Sequence, residues 1–179
     1  TKGMVKRDVI RIVTPGTVIE SNMLDEKKNN YIMSILKKGI YFGIAICDIS
    51  TGDFFATQIA ENNNFSTLLD EIAKYSPAEI VVNSFLYSSL EEINAIRKRF
   101  NSYIDNSPDE NFVPNNEELL SSYNIECENK PLDSLEGFEL AAGAITSLLQ
   151  YLTSTQKIKL EHINHINIYN LQKYMSLDI

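Results

Sequence analysis

The sequence predicts an α/β fold. Three strand-like segments come first, and helical and strand-like segments alternate after them. This order is typical of helices packed against a sheet. The composition agrees with one sizeable core, because 44% of the 179 residues are hydrophobic.

The first three predicted strands form an antiparallel meander. Residues 29–36 fit a strand by their β-branched content and the glycine that follows, and by spacing they also fit one face of a helix. Residues 40–48 are a near-continuous apolar run, which predicts a central strand buried on both faces. Residues 50–52 (STG) predict a turn, after which residues 53–59 return as the third strand.

Helical spacing then alternates with short strands. We expect Ser66 to cap a helix that stops at Pro77, because the residue before a proline disfavours helical geometry. Residues 79–82 predict a short buried strand, and residues 89–92 (SLEE) predict a capping box that opens the next helix. Residues 102–104 predict an edge strand. The expected apolar faces of the two helices are Leu68, Leu69, Ile72 and Ala73, and Leu90, Ile93, Ile96 and Phe100.

A long helix dominates the last third of the chain. We expect Asp133 or Ser134 to cap it and Thr155 to lie near its end, after a shorter helix near residues 117–122. Glycine costs a helix about 1 kcal/mol, so Gly143 predicts close packing against a neighbour. The apolar stripe of this helix comprises Phe138, Ala141, Ala142, Ile145, Leu148, Leu149 and Leu152.

Four stretches resemble, in the same order, the MutS family of DNA mismatch-repair proteins. Residues 5–20 (VKRDVIRIVTPGTVIE) read as a strand entering a tight turn, and they resemble the segment between the family's mismatch-binding and connector domains. Residues 47–54 (CDISTGDF) and 141–157 (AAGAITSLLQYLTSTQK) resemble the connector domain. Residues 174–178 (YMSLD) resemble the entry into the lever domain.

The resemblance implies a ribonuclease H-like connector domain with a mixed sheet and flanking helices, and it implies that residues 29–36 are a strand. It further implies a linker strand at residues 1–18, the connector domain at residues 19–155, and a short helical start of the lever domain at residues 156–179. Because the chain begins with Thr1, we expect it to be a piece of a longer protein.

The resemblance also implies a function. The longer protein is expected to be a homodimeric, DNA-dependent ATPase of the bacterial cytoplasm, associated with the nucleoid, that binds mismatched duplex DNA and recruits a MutL-type protein. ATP or ADP and Mg would bind outside this chain. This piece is expected to be no enzyme, to pass conformational change between its neighbours, and to offer a docking surface for MutL. The candidate hinges are Thr14, Pro15, Gly16, Thr17, Ser154 and Thr155.

The net charge of −8 is concentrated in one tract. Residues 105–139 carry ten acidic residues and one basic residue, Lys130. An acidic domain repels phosphate backbones, so this piece is predicted to bind little or no DNA itself. The candidates for lying near DNA are Lys6, Arg7 and Arg11, although an exposed strand end explains them more simply.

The motifs of the family's two chemical sites are absent from the sequence. None of the seven glycines is followed by lysine, so no P-loop occurs. None of the eight phenylalanines has glutamate two residues later, so the Phe-x-Glu element of the family's mismatch reader is missing. No cofactor or metal site is therefore predicted. The longest apolar run, at residues 40–47, is too short to span a membrane.

An alternative function would use Asp48, Asp53 and Asp70. Ribonuclease H-like nucleases hold two divalent metals about 4 Å apart on such carboxylates, and Asp48 ends the most buried predicted strand. The DxSTG spacing also resembles a phosphate-binding hairpin. The favoured explanation is structural, with the Asp48 side chain accepting hydrogen bonds from the turn amides around Thr51 and Gly52.

The remaining polar candidates have ordinary explanations. His162 and His165 could share a helix face, but no second cluster accompanies them to complete a metal site. Cys47 and Cys127 are expected to be reduced thiols rather than a disulfide. The basic run at residues 97–99 (RKR) is expected to complement a helix dipole. The acidic tract is expected to be a solvated surface that could also steer a basic partner.

Overall fold

The computed structural model describes residues 29–61, 65–128 and 135–171. The predicted strand and turn at residues 5–20, and with them Lys6, Arg7, Arg11 and the first hinge candidates, lie outside these residues. The described strands are β1 (Tyr31–Lys38), β2 (Tyr41–Asp48), β3 (Phe54–Ala60), β4 (Glu79–Asn83), β5 (Tyr103–Ser107), β6 (Asn124–Cys127) and β7 (His165–Ile168). The described helices are α1 (Ser66–Tyr75), α2 (Ser84–Tyr87), α3 (Leu90–Arg99), α4 (Asn116–Ser122) and α5 (Glu139–Thr155), with 3-10 turns at Asp109–Phe112 and Leu160–His162.

The strands form one mixed sheet in the order β5-β4-β1-β2-β3-β7-β6. The first three strands are the predicted antiparallel meander, while β4 and β5 run parallel to β1. At the other side β7 pairs parallel to β3, and β6 pairs parallel to β7. The predicted α/β fold with a mixed sheet and flanking helices is confirmed, and the open choice at residues 29–36 is resolved as a strand.

Each face of the sheet carries its own core, because successive side chains of a strand point to opposite faces. In β1, Ile32 packs with the residues of α5, whereas Met33 and Ile35 pack with the residues of α1 and α3. The central strand β2 is buried from Phe42 to its end, as predicted for a strand covered on both faces. Its first residue, Tyr41, remains half-exposed.

The long helix α5 lies very close to the sheet. Its predicted apolar stripe is buried, and Gly143 makes the close approach that its position in a helix predicted. A Cβ atom added at Gly143 would lie 2.6 Å from the Phe112 carbonyl oxygen and 2.7 Å from Leu36 Cδ2. Glycine is therefore required here by space rather than by backbone conformation.

Three predicted helix starts differ from the structure. Helix α1 begins at Ser66, but Ser66 does not cap it, because the Glu61 carboxylate from the end of β3 accepts the Leu68 N–H at 2.9 Å. The capping box of α3 is wrong: the Ser89 hydroxyl donates to the Phe85 carbonyl at 2.8 Å, and Glu92 pairs instead with a lysine of β1.

The start of α5 is also later than predicted. The helix begins at Glu139 with Phe138 in the N-cap position, whereas the predicted caps, Asp133 and Ser134, lie outside the described residues. The side chain of Gln58 on β3 takes that role, since its Oε1 atom accepts the N–H groups of Leu140 at 2.9 Å and Ala141 at 3.2 Å. A side chain from a neighbouring element thus satisfies the N–H groups that every helix start leaves unpaired.

The segment expected to open a helical domain contributes instead to the sheet. Within residues 156–171 the structure places a 3-10 turn at Leu160–His162 and then β7 between β3 and β6. Ile166 and Ile168 alternate with polar residues and are buried against α5. The predicted helical start is therefore wrong for residues 165–168, because this alternating pattern fits a half-buried strand.

Candidate functional site

A surface groove lies at the carboxyl ends of the parallel strands β1, β4 and β5. In open α/β sheets this edge is the usual place for a ligand or partner to bind. The groove has a volume of about 710 Å³. Its lining combines β1 and the turn after it, the end of β4, helix α2 and the 3-10 turn, and comprises Leu36, Lys37, Lys38, Gly39, Asn83, Phe85, Asp109, Phe112, Val113, Pro114, Glu139 and Leu140.

The floor of the groove is fixed by Asn83, the last residue of β4. Its side chain bridges to β1, accepting the Lys37 N–H at 3.0 Å and donating to the Lys37 carbonyl at 3.2 Å. Asn83 is only 2% exposed, so these bonds are held away from water. They keep β1 and β4 together at the point where the strands would otherwise separate.

One wall of the groove is built around the Lys37 ammonium group. It forms an ion pair with Glu92 of α3 and lies 5.2 Å from the centroid of the Phe85 ring and 5.9 Å from that of Phe42. A cation over a ring face is favourable. The charge of Lys37 is thus already paired, and it orients the Phe85 ring.

The opposite wall is the 3-10 turn, which the buried Phe112 anchors against α5. The Asp109 carboxylate accepts the Ser84 N–H at 3.2 Å and so ties the turn to the start of α2. The anchored Phe112 leaves Val113 pointing outward, 69% exposed, while Phe85 is 50% exposed. The groove therefore presents two large apolar side chains to solvent on rigid supports.

The carboxylates of the alternative function do not converge on a metal site. The Asp48 Oδ1 atom accepts from the Ser50 N–H at 2.9 Å, the Ser50 hydroxyl at 2.6 Å and the Asn30 N–H at 3.3 Å. Asp70 is exposed on α1, 4.0 Å from Arg99. Within residues 29–61, 65–128 and 135–171, no group of three or more His, Cys, Asp or Glu side chains could hold a metal ion.

The prediction that Asp48 has a structural role in the turn is confirmed, but the donors to its carboxylate are not those predicted. The predicted amides of Thr51 and Gly52 bond to the Asp48 backbone carbonyl, at 3.3 Å and 2.7 Å, rather than to its carboxylate. The carboxylate holds Ser50 and the strand entry at Asn30 instead. Asp48 is therefore the organising residue of the turn between β2 and β3.

Both cysteines are free thiols, as predicted. Burial, and then the nearby charge of Asp48, raises the pKa of Cys47 to about 12. Cys127 is half-buried at the end of β6. Of the two histidines, His162 ends a 3-10 turn and His165 begins β7, so no single helix turn carries both.

The basic run at residues 97–99 occupies the last turn of α3, where positive charge complements the helix dipole as predicted. The hinge candidates Ser154 and Thr155 lie in the last turn of α5. Their hydroxyls donate to the Tyr151 carbonyl at 3.1 Å and 2.7 Å. The structure shows no motion, so their role as hinges stays a prediction.

The groove and its two exposed apolar residues, Phe85 and Val113, were not predicted from the sequence. Phe85 lies in a four-residue helix, and Val113 lies in the acidic tract, where no periodic pattern marks them. Asn83 could have indicated the groove, since it is a polar residue directly after the predicted buried strand at residues 79–82, and ligands often bind at the carboxyl ends of such strands. Only the three-dimensional structure shows that the four segments of the lining lie side by side.

Among the described residues, none of the helices has the length and apolar character needed to cross a membrane.

The fold is an α/β domain with a surface groove at the carboxyl ends of three parallel strands. A family model described as MutS domain II matches residues 30–164. The curated protein "DNA mismatch repair protein MutS" of Ruminiclostridium cellulolyticum is 46% identical over 177 residues, which cover 99% of this chain. The proteins of the same name from Acetivibrio thermocellus and Alkaliphilus metalliredigens are 46% and 42% identical, again over 99% of the chain.

The chain belongs to the MutS family, and it contains the family's domain II. Each of these three alignments covers 20% of the relative, so this chain corresponds to about a fifth of the length of these proteins. The resemblance drawn from the sequence is thereby confirmed.

Proposed function

We propose that this domain is a rigid connector in a MutS protein of DNA mismatch repair, and that its groove is a docking surface for MutL. The observation that carries the docking proposal is the pair of exposed apolar residues, Phe85 and Val113, on the walls of one groove. Interfaces are typically centred on such apolar anchors within a polar rim. Here Lys38, Asp109 and Glu139 supply the rim.

The connector role is supported by how the domain is built. Two separate cores cover both faces of one seven-stranded sheet. Such a body deforms little, because packed interiors have low compressibility. A rigid body between two moving parts passes displacement from one to the other.

The remaining roles belong to the longer protein. Mismatched duplex DNA, ATP or ADP with Mg, and homodimer contacts are proposed to involve parts of the MutS protein outside this chain. The net charge of −8 supports this assignment for DNA, since an acidic domain is a poor match for a phosphate backbone. No observation in the described residues favours the alternative metal-dependent nuclease.

The docking proposal is tested with a paired set of variants in a MutS protein that contains this domain. Phe85→Ala combined with Val113→Ser should weaken binding of the MutL ATPase domain at least tenfold, since truncating a hot-spot side chain at an interface costs about 2 kcal/mol or more. Tyr103→Ala is the matched control, because Tyr103 is 45% exposed and lies at the amino end of β5. Equal weakening by the control, or none by the groove variant, would contradict the proposal.

The connector role needs a different experiment. A short Gly/Ser insertion after Leu171 in the longer protein should uncouple mismatch binding from nucleotide exchange, because a flexible linker transmits little displacement. Mismatch affinity should be kept. Nucleotide exchange that still responds fully to a mismatch would count against the connector role.

A further inference from the structure

The chain after α5 leaves the helix through a strained turn. Helix α5 ends at Thr155, and Gln156 adopts a left-handed conformation with φ 55°. Its N–H donates to the Leu152 and Thr153 carbonyls, and the Lys157 N–H donates to the Leu152 carbonyl at 3.2 Å. This is a Schellman-type ending in which glycine is the usual residue. Glutamine can hold this conformation only if neighbouring contacts stabilise it.

Such contacts begin at the next residue. The Lys157 ammonium lies 2.9 Å from Glu79 Oε2, and the two side chains are 1% and 0% exposed. The other carboxylate oxygen of Glu79 accepts a hydrogen bond from the Tyr151 hydroxyl. Glu79 is the first residue of β4, so the pair fastens the chain after α5 to the sheet on the face that α5 covers. Removing one partner of a fully buried ion pair leaves a charge without compensation.

Core packing and strand pairing hold the end of the segment that follows Lys157. Ile163, Ile166 and Ile168 are buried in the core beneath α5. Strand β7 pairs with β6 along all four of its residues and with β3 at Asn167 and Ile168. Within residues 157–168, Lys159, Glu161 and His162 lie in an exposed turn, and burial holds the chain again from Ile163 onward.

A second fastening occurs at Tyr169, on the other face of the sheet. The Tyr169 hydroxyl donates to Glu71 Oε1 at 2.5 Å and receives a hydrogen bond from the Tyr75 hydroxyl at 3.2 Å. Both partners belong to α1. The Lys74 ammonium lies 4.6 Å from the Tyr169 ring centroid.

The backbone of Tyr169 is fixed as well. Its N–H donates to the Ala56 carbonyl at 3.0 Å, and its carbonyl accepts the Thr57 hydroxyl at 2.7 Å. Thr57 is fully buried in β3. Side chain and backbone are thus anchored to different elements at the same residue.

We propose that residues 156–169, the exit strap, are locked to both faces of the domain by the Lys157–Glu79–Tyr151 and Tyr169–Glu71–Tyr75 clusters. Any pivot between this domain and the chain that follows then lies after Tyr169, not at Ser154 and Thr155. A force on the following chain then acts on α1 and β3 through the contacts of Tyr169, and on β4 through the Lys157–Glu79 ion pair. This proposal rests on the connector role proposed above for its meaning in the longer protein.

The test is hydrogen–deuterium exchange on this chain, read in peptides that cover the strap and β2. In the wild type, the amides of β7 should be protected like those of β2. Lys157→Met should raise exchange in residues 156–163 at least tenfold while β2 stays unchanged. Lys159→Met is the matched control, because Lys159 is exposed two residues away and should raise nothing.

Tyr169→Phe tests the second lock. It should raise exchange in residues 165–170 at least tenfold, whereas Tyr41→Phe, at a half-exposed site, should not. Strap amides that exchange in the wild type as fast as the turn at residues 50–52 would overturn the proposal. So would strap exchange that neither lock variant raises above its control.

Global unfolding of Lys157→Met would show as faster exchange in β2 too. The double variant Glu79→Gln/Lys157→Met then decides, since it leaves no uncompensated buried charge. In this double variant the β2 amides should exchange as slowly as in the wild type, while the strap amides should exchange faster. Strap amides that exchange as slowly as in the wild type would overturn the proposal. Because these measurements need no MutL, DNA or nucleotide, their failure is separate from failure of the proposed function.

Discussion

At several points of this domain a single side chain fixes the local backbone by accepting more than one hydrogen bond. Asp48 is the clearest case, because one carboxylate oxygen accepts three hydrogen bonds and so fixes the turn between β2 and β3. Its role was visible in the sequence, where an aspartate precedes a Ser-Thr-Gly turn. The sequence did not show which oxygen atom of Asp48 accepts from which N–H group. That depends on where the chain places Asn30, which directly precedes β1.

Replacing Asp48 should therefore destabilise the domain. Asp48→Ala should lower the free energy of unfolding by about 2–3 kcal/mol, because two backbone N–H groups and a hydroxyl lose their shared charged acceptor. Asp53→Ala is the matched control, since Asp53 is exposed five residues away and should change stability by no more than about 0.5 kcal/mol. Urea unfolding followed by circular dichroism measures both values. Equal losses in the two variants would show that the turn does not depend on Asp48.

The two thiols should differ sharply in reactivity. Burial raises the pKa of Cys47 to about 12, and the thiolate is the reactive form, so Cys47 should resist a thiol reagent at pH 8 in the folded protein. Cys127 is half-buried and should react first. Labelling with Ellman's reagent should modify one thiol rapidly in the native state and both in denaturant. Rapid native labelling of Cys47, identified by peptide mass, would contradict the burial described for β2.

At the scale of elements, the sequence predicted existence and order better than it predicted boundaries. The strands β1 to β5 and the helices α1, α3, α4 and α5 were expected in this order. Errors occur where a distant side chain replaces a local cap, as with Glu61 at α1 and Gln58 at α5. Strand β7 was missed because its four residues hold only two apolar side chains, and its partners lie far away in sequence.

Gln58 gives an element-scale prediction. Gln58→Ala should lower the free energy of unfolding by about 1–2 kcal/mol, because it leaves the N–H groups of Leu140 and Ala141 without their acceptor at the start of α5. Gln150→Ala on the same helix is the control, since Gln150 is exposed and alanine favours helix. The comparison is made by thermal and urea unfolding. If both variants are equally stable, α5 does not depend on a cap from β3.

At the scale of the whole molecule, the candidate groove could not have been predicted, because four segments far apart in sequence build it. The buried ion pair between Glu79 and Lys157 was hidden for the same reason: its partners are joined only when α5 returns along β1 to the start of β4. Family resemblance supplied the identity of the domain. The residues alone supplied its class and its core.

Buried tyrosines give the whole domain an expected alkaline limit. Burial raises the pKa of Tyr75 to about 12, and burial also raises the pKa values of Tyr151 and Tyr169 above the ordinary 10. Because the folded-state pKa values are raised, this stabilisation is fully present below pH 10 and is lost as pH rises above it, where the unfolded chain releases these protons.

The urea concentration at the unfolding midpoint should accordingly decrease as the pH is raised from 9 to 11.5. The fall should be shallower in Tyr151→Phe and Tyr169→Phe, which remove one such group each. A midpoint independent of pH over this range would mean that these hydroxyls ionise equally in the folded and unfolded states.

The central claim is that this domain carries a docking surface at the carboxyl ends of β1, β4 and β5. An NMR titration of the isotopically labelled chain with the MutL ATPase domain of the same bacterium tests it most directly. We expect shifts that cluster on Lys38, Phe85 and Val113 and that disappear in Phe85→Ala/Val113→Ser. Shifts centred on Tyr103, at the amino end of β5 and away from the groove, or no shifts at saturating MutL, would contradict it.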